Sequence, residues 1–326
     1  MKEIAREIWI LGWDGNQTYR SIFGSTSNVS NDKKDKKVDG IASNASLGHD
    51  FVLTWNSKEN YSMINSRWEH SRLGEQILSI FKTHVQAETA ICEVKLGNSF
   101  VIFLSSSTIY FHKSFLPKPV FMNIAVQSVS CGSSHAIVLA RSSLFAIGSG
   151  PNGELGLGES KTVVPQFEEI SIPCGEVAFS IAAGSHHSCF ITKPHGYVYS
   201  FGCGAYYRLG HGNDSNQYYP KRIEALIGVG DFDPIAATTL GIKLVACGEW
   251  HTIAVSNGAN DVYGWGWNKF GQLGDLAEQV VEYPERISVF NDEGTDMDED
   301  ILQVACGSSF SALTTSSNRL HIMFVT

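Results

Sequence analysis

The chain contains no long apolar run. Its first apolar stretch, residues 8–11, is four residues long, whereas a signal-peptide core needs more and a membrane-spanning helix needs roughly 20. No apolar run elsewhere in the sequence is long enough to span a bilayer. These observations predict a soluble, intracellular protein with no membrane partner.

Signatures of metal and catalytic sites are also missing. The seven cysteines include no C-x-x-C pair, which argues against a zinc ribbon or a disulfide framework and favours buried free thiols. A Walker loop, an H-E-x-x-H motif and a G-x-S-x-G elbow are absent. The sequence therefore predicts no catalytic residue, no metal, no cofactor and no enzyme.

Positive charge is scarce. Lys and Arg number 24 against 33 Asp and Glu, and the formal net charge is −9. Such a chain is poorly suited to bind nucleic acid through its overall field, so we expect no direct nucleic-acid partner. The acidity fits either plain solubility or a basic protein surface as partner.

Glycine, by contrast, is frequent, with 31 residues, and much of it recurs in one pattern. A small residue or Cys precedes Gly, two variable residues follow, then His or Phe, then an apolar run; we call this segment a head. Two weaker heads surround Gly48 and Gly97. The four strong heads are VSCGSSHAIVLA (129–140), IAAGSHHSCFIT (181–192), VACGEWHTIAVS (245–256) and VACGSSFSALTT (304–315).

A ring occupies the third position after every head glycine. Three histidines at one repeated position could be metal ligands or bases, but ligands must converge on one ion, whereas repeats point equivalent side chains in different directions. We interpret the position as structural, with each ring bridging backbone groups in its own repeat. The predicted structural residues are Gly132, Gly184, Gly248, Gly307, His135, His187 and His251, and Cys131, Cys247 and Cys306 are interpreted as small buried residues.

A second repeated segment, the tail, follows three of the heads. Tails run through residues 144–158, 198–212 and 262–274: apolar residues, then Gly, any residue, Gly or a polar residue, and Leu-Gly five or six positions after that. The first tail spells G-x-G-x-x-G at Gly148–Gly153, the pattern of a dinucleotide-binding turn. The other tails do not keep this spacing, and Pro151 and Asn152 favour a turn over a helix start. We therefore interpret these glycines as turn and packing residues.

The repeat period of 35–64 residues, filled with short apolar runs and glycine turns, predicts an all-β fold of four-stranded sheets, that is, a β-propeller over residues 1–326. Repeats are degenerate over 1–128 and clear over 129–326. The N-terminus opens with a tail lacking a head, around Gly12, and the C-terminus ends with a head whose tail is cut short. We expect the N-terminal strands to close the ring by pairing with the C-terminal blade.

The heads and the tail YGWGWNKFGQLG (263–274) resemble the regulator of chromosome condensation (RCC-type) repeat. The resemblance implies a seven-bladed propeller, of which six heads are visible. It also implies several functions. The founding member is an exchange factor for the small GTPase Ran, and small stand-alone members are adaptors, either for a JmjC-class oxygenase or demethylase or in tRNA modification and diphthamide synthesis.

The resemblance to the JmjC-partner adaptors favours a non-enzymatic scaffold in chromatin regulation or chromosome segregation. The alternatives are a Ran-type exchange factor and an adaptor in tRNA modification or diphthamide synthesis. We expect a monomer within a heteromeric complex. Aromatic and Arg side chains beside turns are typical interface anchors, and the predicted partner-binding residues are Trp250, Tyr206, Tyr207, Arg208 and Phe270; packing between blades is the other interpretation for 206–208, and the favoured one for Trp267.

An acidic run, NDEGTDMDED, occupies 291–300. Its D-x-D-x-D spacing resembles a calcium loop, but Ile301 and Gly307 stand where that loop needs Gly and Glu, which excludes an EF-hand. We interpret it as an exposed loop between blades, either merely solvated or a docking site for a basic partner.

Overall fold

The computed structural model describes residues 8–13, 18–23, 44–47, 52–55, 61–64, 91–96, 100–105, 109–113, 120–234, 238–258, 260–289, 299–317 and 319–323. The chain divides into two compact units, Met1–Gly40 and Ile41–Thr326. That residues 1–326 form a single domain stays a prediction. No helix in the described ranges is long and apolar enough to cross a membrane.

The N-terminal unit contains one antiparallel hairpin, β1 (Ile8–Trp13) and β2 (Thr18–Phe23), in which Gly12 pairs with Tyr19. Closure of a ring by these strands stays a prediction.

The second unit is built from consecutive antiparallel sheets, which confirms the all-β propeller fold. Sheet 1 contains β3 (Asn44–Leu47), β4 (Val52–Trp55) and β5 (Tyr61–Ile64); sheet 2 contains β6 (Ile91–Leu96), β7 (Phe100–Ser105), β8 (Ile109–Lys113) and β9 (Val120–Met122); sheet 3 contains β10 (Val126–Cys131), β11 (His135–Ala140), β12 (Ser143–Ser149) and β13 (Val163–Ile170).

The remaining sheets follow the same order. Sheet 4 contains β14 (Val177–Ala183), β15 (His187–Lys193), β16 (Val198–Gly202) and β17 (Gln217–Arg222); a short hairpin of β18 (Phe232–Asp233) and β19 (Thr238–Thr239) follows; sheet 5 contains β20 (Ile242–Cys247), β21 (His251–Ser256), β22 (Val262–Trp267) and β23 (Val280–Ile287); sheet 6 contains β24 (Ile301–Cys306), β25 (Ser311–Thr315) and β26 (Leu320–Met323). Three short 3-10 helices, Pro173–Gly175, Ala205–Tyr207 and Glu224–Leu226, lie in the connections.

Each of the six heads lies between the first and second strands of one sheet. Successive first strands contact each other from sheet 1 to sheet 6, as the inner strands of propeller blades do. Because each sheet is an antiparallel meander, head loops and tail loops leave at the same end of the strands. We call this end the head face, and the end with the remaining turns and the connections between sheets the opposite face.

The apolar cores lie between neighbouring sheets. Strand β11 is buried at all six positions because its side chains alternate: Ala136 and Val138 pack toward sheet 2, whereas Ile137 and Leu139 pack toward sheet 4. Burial of each large apolar side chain, on either side of the sheet, contributes about 1.5–3 kcal/mol to the stability of the fold. The second strand of a sheet therefore needs apolar residues throughout, which explains the apolar run of every head.

The tail glycine has a conformational role. Gly148 has a φ of 116° and lies at a register shift between β12 and β13, and a Cβ there would meet the Ser134 carbonyl oxygen at 2.4 Å. Residues 150–162 after it form turns and bends and lead into β13, so the helix that a dinucleotide turn requires does not follow. The glycine pattern at Gly148–Gly153 serves a bulge and a turn, as predicted.

Candidate functional site

Head loops of adjacent sheets contact each other through their glycines. A Cβ on Gly184 would meet the Gly248 carbonyl oxygen at 2.2 Å and the His187 ring at 2.7 Å. Gly132 and Gly248 have the equivalent clashes with the next glycine and with their own histidine, and Gly307 has one with Phe310. The head glycines therefore provide room for the ring and for the next sheet.

The head histidines link each sheet to the next one. Each ring Nε2 atom lies 2.8 Å from a side-chain hydroxyl oxygen of the next sheet. This hydroxyl belongs to the residue that directly follows the head ring of that sheet, and the pairs are His135–Ser188, His187–Thr252 and His251–Ser311. These bonds correct the expectation that each ring bridges backbone groups in its own repeat: the ring joins neighbouring sheets, because the hydroxyl of the following strand is its partner.

The hydroxyl hydrogens fix the tautomer of the rings. Ser188, Thr252 and Ser311 donate to carbonyl oxygens in the tail loop of the preceding sheet, at 3.2, 2.9 and 2.8 Å. A hydroxyl has a single hydrogen, so the ring Nε2 must be the donor in the other bond. Each neutral imidazole therefore carries its proton on Nε2.

Burial keeps these imidazoles neutral. Desolvation lowers the pKa of His135 to about 4, with Glu154 opposing the shift, and lowers the pKa of His251 to about 3. Burial followed by the charge of Arg208 lowers the pKa of His187 well below 6.5. All three rings are essentially inaccessible to solvent, so they serve as hydrogen-bond donors between sheets and offer nothing to a substrate.

The carbonyls that accept these hydroxyls belong to one repeated tail position. The position directly before Leu-Gly holds Glu154, Arg208 and Gln272, all three buried polar residues. Sequence reasoning missed Glu154 and Gln272, and it missed the three hydroxyls. The signal was present: a polar residue precedes Leu-Gly in every tail, and Ser or Thr follows the ring in three of the four strong heads.

The outer side of this layer differs from one junction to the next. The Glu154 carboxylate accepts hydrogen bonds from the backbone nitrogen and side chain of Asn152, at 2.7 and 3.1 Å, and lies 3.7 Å from His186 Nδ1. Burial raises the pKa of Glu154, but hydrogen bonds from His186 and Asn152 outweigh it and leave the pKa below its usual value.

At the next junction a guanidinium replaces the carboxylate. Arg208 is fully buried, donates from Nε to the Ala205 carbonyl and from Nη1 to the Glu249 carbonyl, both at 2.8 Å, and its Cζ lies 4.3 Å from the Trp250 ring centroid. This burial favours the other interpretation of Arg208, packing between blades, over a role as a direct interface anchor. The guanidinium supports Trp250 from below, since two backbone carbonyls hold it there.

Four aromatic side chains meet above this guanidinium. Tyr206 lies 5.2 Å from Trp250 and 5.5 Å from Trp267, measured between ring centroids; Trp250 lies 6.2 Å from Trp267, and Phe270 lies 5.2 Å from Trp267. We call these four residues the aromatic cluster. Tyr206 and Phe270 are exposed to 45% and 41%, and Trp250 and Trp267 are half-buried.

The cluster joins three of the predicted partner-binding residues, Trp250, Tyr206 and Phe270, from the tail loop of sheet 4 and the head and tail of sheet 5. It also contains Trp267, for which packing was expected. Tyr207 follows Tyr206 in the same turn, half-buried, and both tyrosines have left-handed φ values of 60° and 61°. Such a conformation is unfavourable for residues with a side chain, and it tends to persist at functional sites.

The cysteines before the head glycines have a structural setting rather than a reactive one. Burial raises the pKa of Cys306 to about 12 and that of Cys247 well above its usual value, and Cys131 lies at the equivalent head position, half-buried. A thiol that stays protonated is a poor nucleophile. The cysteines before the head glycines are thus small residues beside a tight turn.

The acidic run lies mostly outside the described residues, which resume at Glu299. The described ends of that connection, Val289 and Glu299, are on the opposite face, away from the aromatic cluster. Asp300 accepts a hydrogen bond from Asn260 at 2.8 Å, and Glu299 accepts one from Ser317 at 2.5 Å. Both interpretations of the run, solvated loop or docking site, stay predictions.

Comparison with known proteins identifies the repeats. The family model described as "Regulator of chromosome condensation (RCC1) repeat" matches residues 195–255 and 260–314, and a second model of the same description matches 180–208 and 242–272.

Curated relatives share part of their length with this chain. The Arabidopsis thaliana ultraviolet-B receptor UVR8 is 30% identical over 237 residues, covering 59% of this chain and 52% of the receptor. The human E3 ubiquitin-protein ligase HERC2 is 29% identical over 245 residues, covering 73% of this chain and 5% of the ligase. Human protein RCC2 is 28% identical over 183 residues, covering 52% of this chain and 34% of RCC2. The chain thus spans about half of UVR8 and a small part of HERC2.

Solved structures share the fold. Human WBSCR16 superposes with a TM-score of 0.68 at 18% identity, covering 88% of this chain and 77% of that one. Yeast RCC1 (Prp20) superposes with a TM-score of 0.55 at 20% identity, covering 85% and 63%. The repeat matches show that residues 180–314 consist of RCC1-type repeats, and the six consecutive blade sheets and the solved structures show that these repeats belong to a β-propeller fold.

Proposed function

We propose that this protein is a scaffold that binds a protein partner through the aromatic cluster on its head face and performs no chemistry of its own. One observation carries the proposal: Tyr206, Trp250, Trp267 and Phe270, from two different sheets, converge at the surface with two of the rings more than 40% exposed. Large aromatic side chains held in place at a surface are the usual anchors of protein interfaces.

The base of the cluster supports the same conclusion. Arg208 is held by two carbonyls beneath Trp250, and Trp267 donates its backbone N–H to the Trp250 carbonyl at 3.0 Å. A surface that is ordered before binding loses little conformational entropy when a partner docks. The buried histidines below it bond through Nε2 to the next sheet and have no access to solvent, so they are poorly placed for catalysis.

The test compares partner recovery by tagged full-length chains in quantitative affinity purification. We expect Tyr206→Ala/Phe270→Ala to lose the partners that the wild type enriches. Phe232→Ala, which removes a 63% exposed aromatic ring from the opposite face, should keep them. Thermal unfolding of all three chains separates loss of binding from loss of folding. Equal recovery by the double variant and the wild type would exclude the cluster as the binding surface.

The finer function is part of the proposal. Resemblance to the adaptor subgroup suggests a JmjC-class enzyme as the partner, in chromatin regulation or chromosome segregation, with the protein in the nucleus and/or cytoplasm. An adaptor role in tRNA modification or diphthamide synthesis is the other adaptor candidate. Immunoblotting of the recovered material for JmjC-class enzymes and for diphthamide-synthesis proteins distinguishes these two.

A guanine-nucleotide exchange factor is the second candidate function, favoured by the superposition on yeast RCC1 (Prp20), a protein whose binding to Gsp1p and histones has been described. A Ran-like GTPase loaded with fluorescent GDP provides the test. Catalytic release of the nucleotide at nanomolar amounts of this protein would support exchange activity, and release at the intrinsic rate would reject it.

A further inference from the structure

The charges around the aromatic cluster indicate what kind of partner it binds. Glu249 directly precedes Trp250, and its carboxylate accepts a hydrogen bond from the Ser308 hydroxyl in the next head loop. Asp214 and Glu282 are exposed and lie near Tyr207: the charge of Glu282, followed by burial and the charge of Asp214, raises the pKa of that phenol. Three carboxylates therefore lie at the edge of the cluster: Glu249 precedes Trp250 in the chain, and Asp214 and Glu282 act on Tyr207, the residue after Tyr206.

Positive charge on this part of the head face is smaller and partly used. The guanidinium of Arg208 is buried and bonded to two backbone carbonyls, so it is not available to a partner. Lys269, next to Phe270, is exposed and contributes one positive charge against the three carboxylates of Glu249, Asp214 and Glu282. The exposed field over the cluster is therefore negative.

We propose that the aromatic cluster binds a basic segment of its partner, with an Arg or Lys side chain against the exposed rings of Tyr206 and Phe270 and its charge facing Glu249, Asp214 and Glu282. Ring faces attract cations. Carboxylates at the rim also attract positive charge, and they repel negative charge. The inference rests on the proposed function, because it names the chemistry of the partner at the same surface.

Three other occupants fit less well. An acidic or phosphorylated segment would bring like charges together at the three carboxylates. A second copy of this chain, joined through the same face, would bring its own three carboxylates against these three, because a two-fold interface places the same patch on both sides. The negative rim disfavours both, whereas an uncharged apolar segment would leave the three carboxylates without partners.

The test uses fluorescence anisotropy with the full-length chain and three labelled peptides of equal length, in which Gly alternates with Arg, with Glu or with Ser. We expect the Arg probe to bind roughly tenfold or more tightly than the other two at about 50 mM NaCl, and to weaken at about 300 mM NaCl. A Glu or Ser probe that binds equally well overturns the proposal.

Because the whole chain carries a net charge of −9, variants must localise the binding. Tyr206→Ala/Phe270→Ala should weaken the Arg probe roughly tenfold, and Glu249→Gln/Asp214→Asn roughly fivefold. The matched Phe232→Ala variant on the opposite face should bind like the wild type. Equal binding by the ring double variant and the wild type shows diffuse attraction only and overturns the proposal.

The two proposals fail separately. If partner recovery depends on Tyr206 and Phe270 while the Arg probe binds independently of them, the basic-segment inference is wrong and the scaffold proposal stands. If recovery of every partner is independent of both rings, the scaffold proposal is wrong at this surface.

Discussion

The junction at Glu154 and the junction at Arg208 have the same inner hydrogen bonds and different outer pairs. In both, a head histidine donates to a hydroxyl that donates to the backbone carbonyl of the residue before Leu-Gly. On the outside, one junction pairs the Glu154 carboxylate with His186, and the other stacks the Arg208 guanidinium on Trp250. The fold depends on the first set of contacts, whereas the second can vary and carry function.

The difference lies at two repeated positions. One is the side chain before Leu-Gly, and the other is the residue before the next head ring, which is His186 at the first junction and Trp250 at the second. The backbone carbonyl of the first position is needed for folding whatever its side chain is. Evolution can therefore change the outer pair without changing the contacts between sheets, and the exposed aromatic surface occurs at only one of these two junctions.

The largest expected effect tests the inner layer that both junctions share. Folded-state pKa values of about 4 for His135 and about 3 for His251 lie below the unfolded value of 6.5. The unfolded chain therefore binds more protons below pH 6.5, so stability present above this pH is lost as the pH falls. At pH 5 the loss is about 2 kcal/mol for each histidine, or about 4 kcal/mol for both.

Urea denaturation at pH 7 and pH 5 measures this loss. The control is His251→Phe, because Phe310 is the natural ring at the same position of sheet 6. This variant should lose about 2 kcal/mol less than the wild type between the two pH values. An identical pH dependence in the two proteins would show that His251 is not buried as a neutral ring.

The second effect tests the close approach of the head loops. Gly184→Ala places a Cβ 2.2 Å from the Gly248 carbonyl oxygen, and we expect it to lower the free energy of unfolding by about 3 kcal/mol. The matched Gly175→Ala meets nothing within 4 Å but has a φ of 68°, so backbone strain alone should cost about 1 kcal/mol. Denaturation midpoints compare the two, and equal losses would contradict contact between the loops.

The smallest effect separates the outer pairs. Arg208→Met leaves the Ala205 and Glu249 carbonyls without their donor, which should cost about 2 kcal/mol and change the tryptophan fluorescence, because Trp250 loses the cation below it. Glu154→Gln keeps the shape and one carbonyl acceptor, and it should cost about 1 kcal/mol with unchanged fluorescence. If both variants give the same spectrum, Trp250 does not depend on Arg208.

Much of the fold could be predicted from the sequence because the repeat is local. Each head predicts a turn between two strands, and its apolar run predicts a strand buried on both faces, as β11 is. Pairing of the N-terminal strands with the last blade depends on the relative position of distant segments, which no local pattern contains.

The candidate site could be predicted only in part. Tyr206, Trp250 and Phe270 were expected near turns, but their convergence requires the tail loop of one sheet to lie beside the head loop of the next. The burial of Arg208 follows from the same arrangement, because the side chain before Leu-Gly is buried at all three junctions. The local sequence, an arginine next to two tyrosines, does not indicate this burial. Alignment of the three tails would have shown Glu154, Arg208 and Gln272 as equivalent.

The asymmetry of the head has a consequence for evolution. Sheets 4 and 5 each supply a ring nitrogen to the neighbour on one side and a hydroxyl to the neighbour on the other, so each of these units is complementary to a copy of itself. Gene duplication or deletion of one unit leaves both flanking units with compatible partners. The number of blades can thus change in a single genetic event, while the sequence of any one blade stays the same.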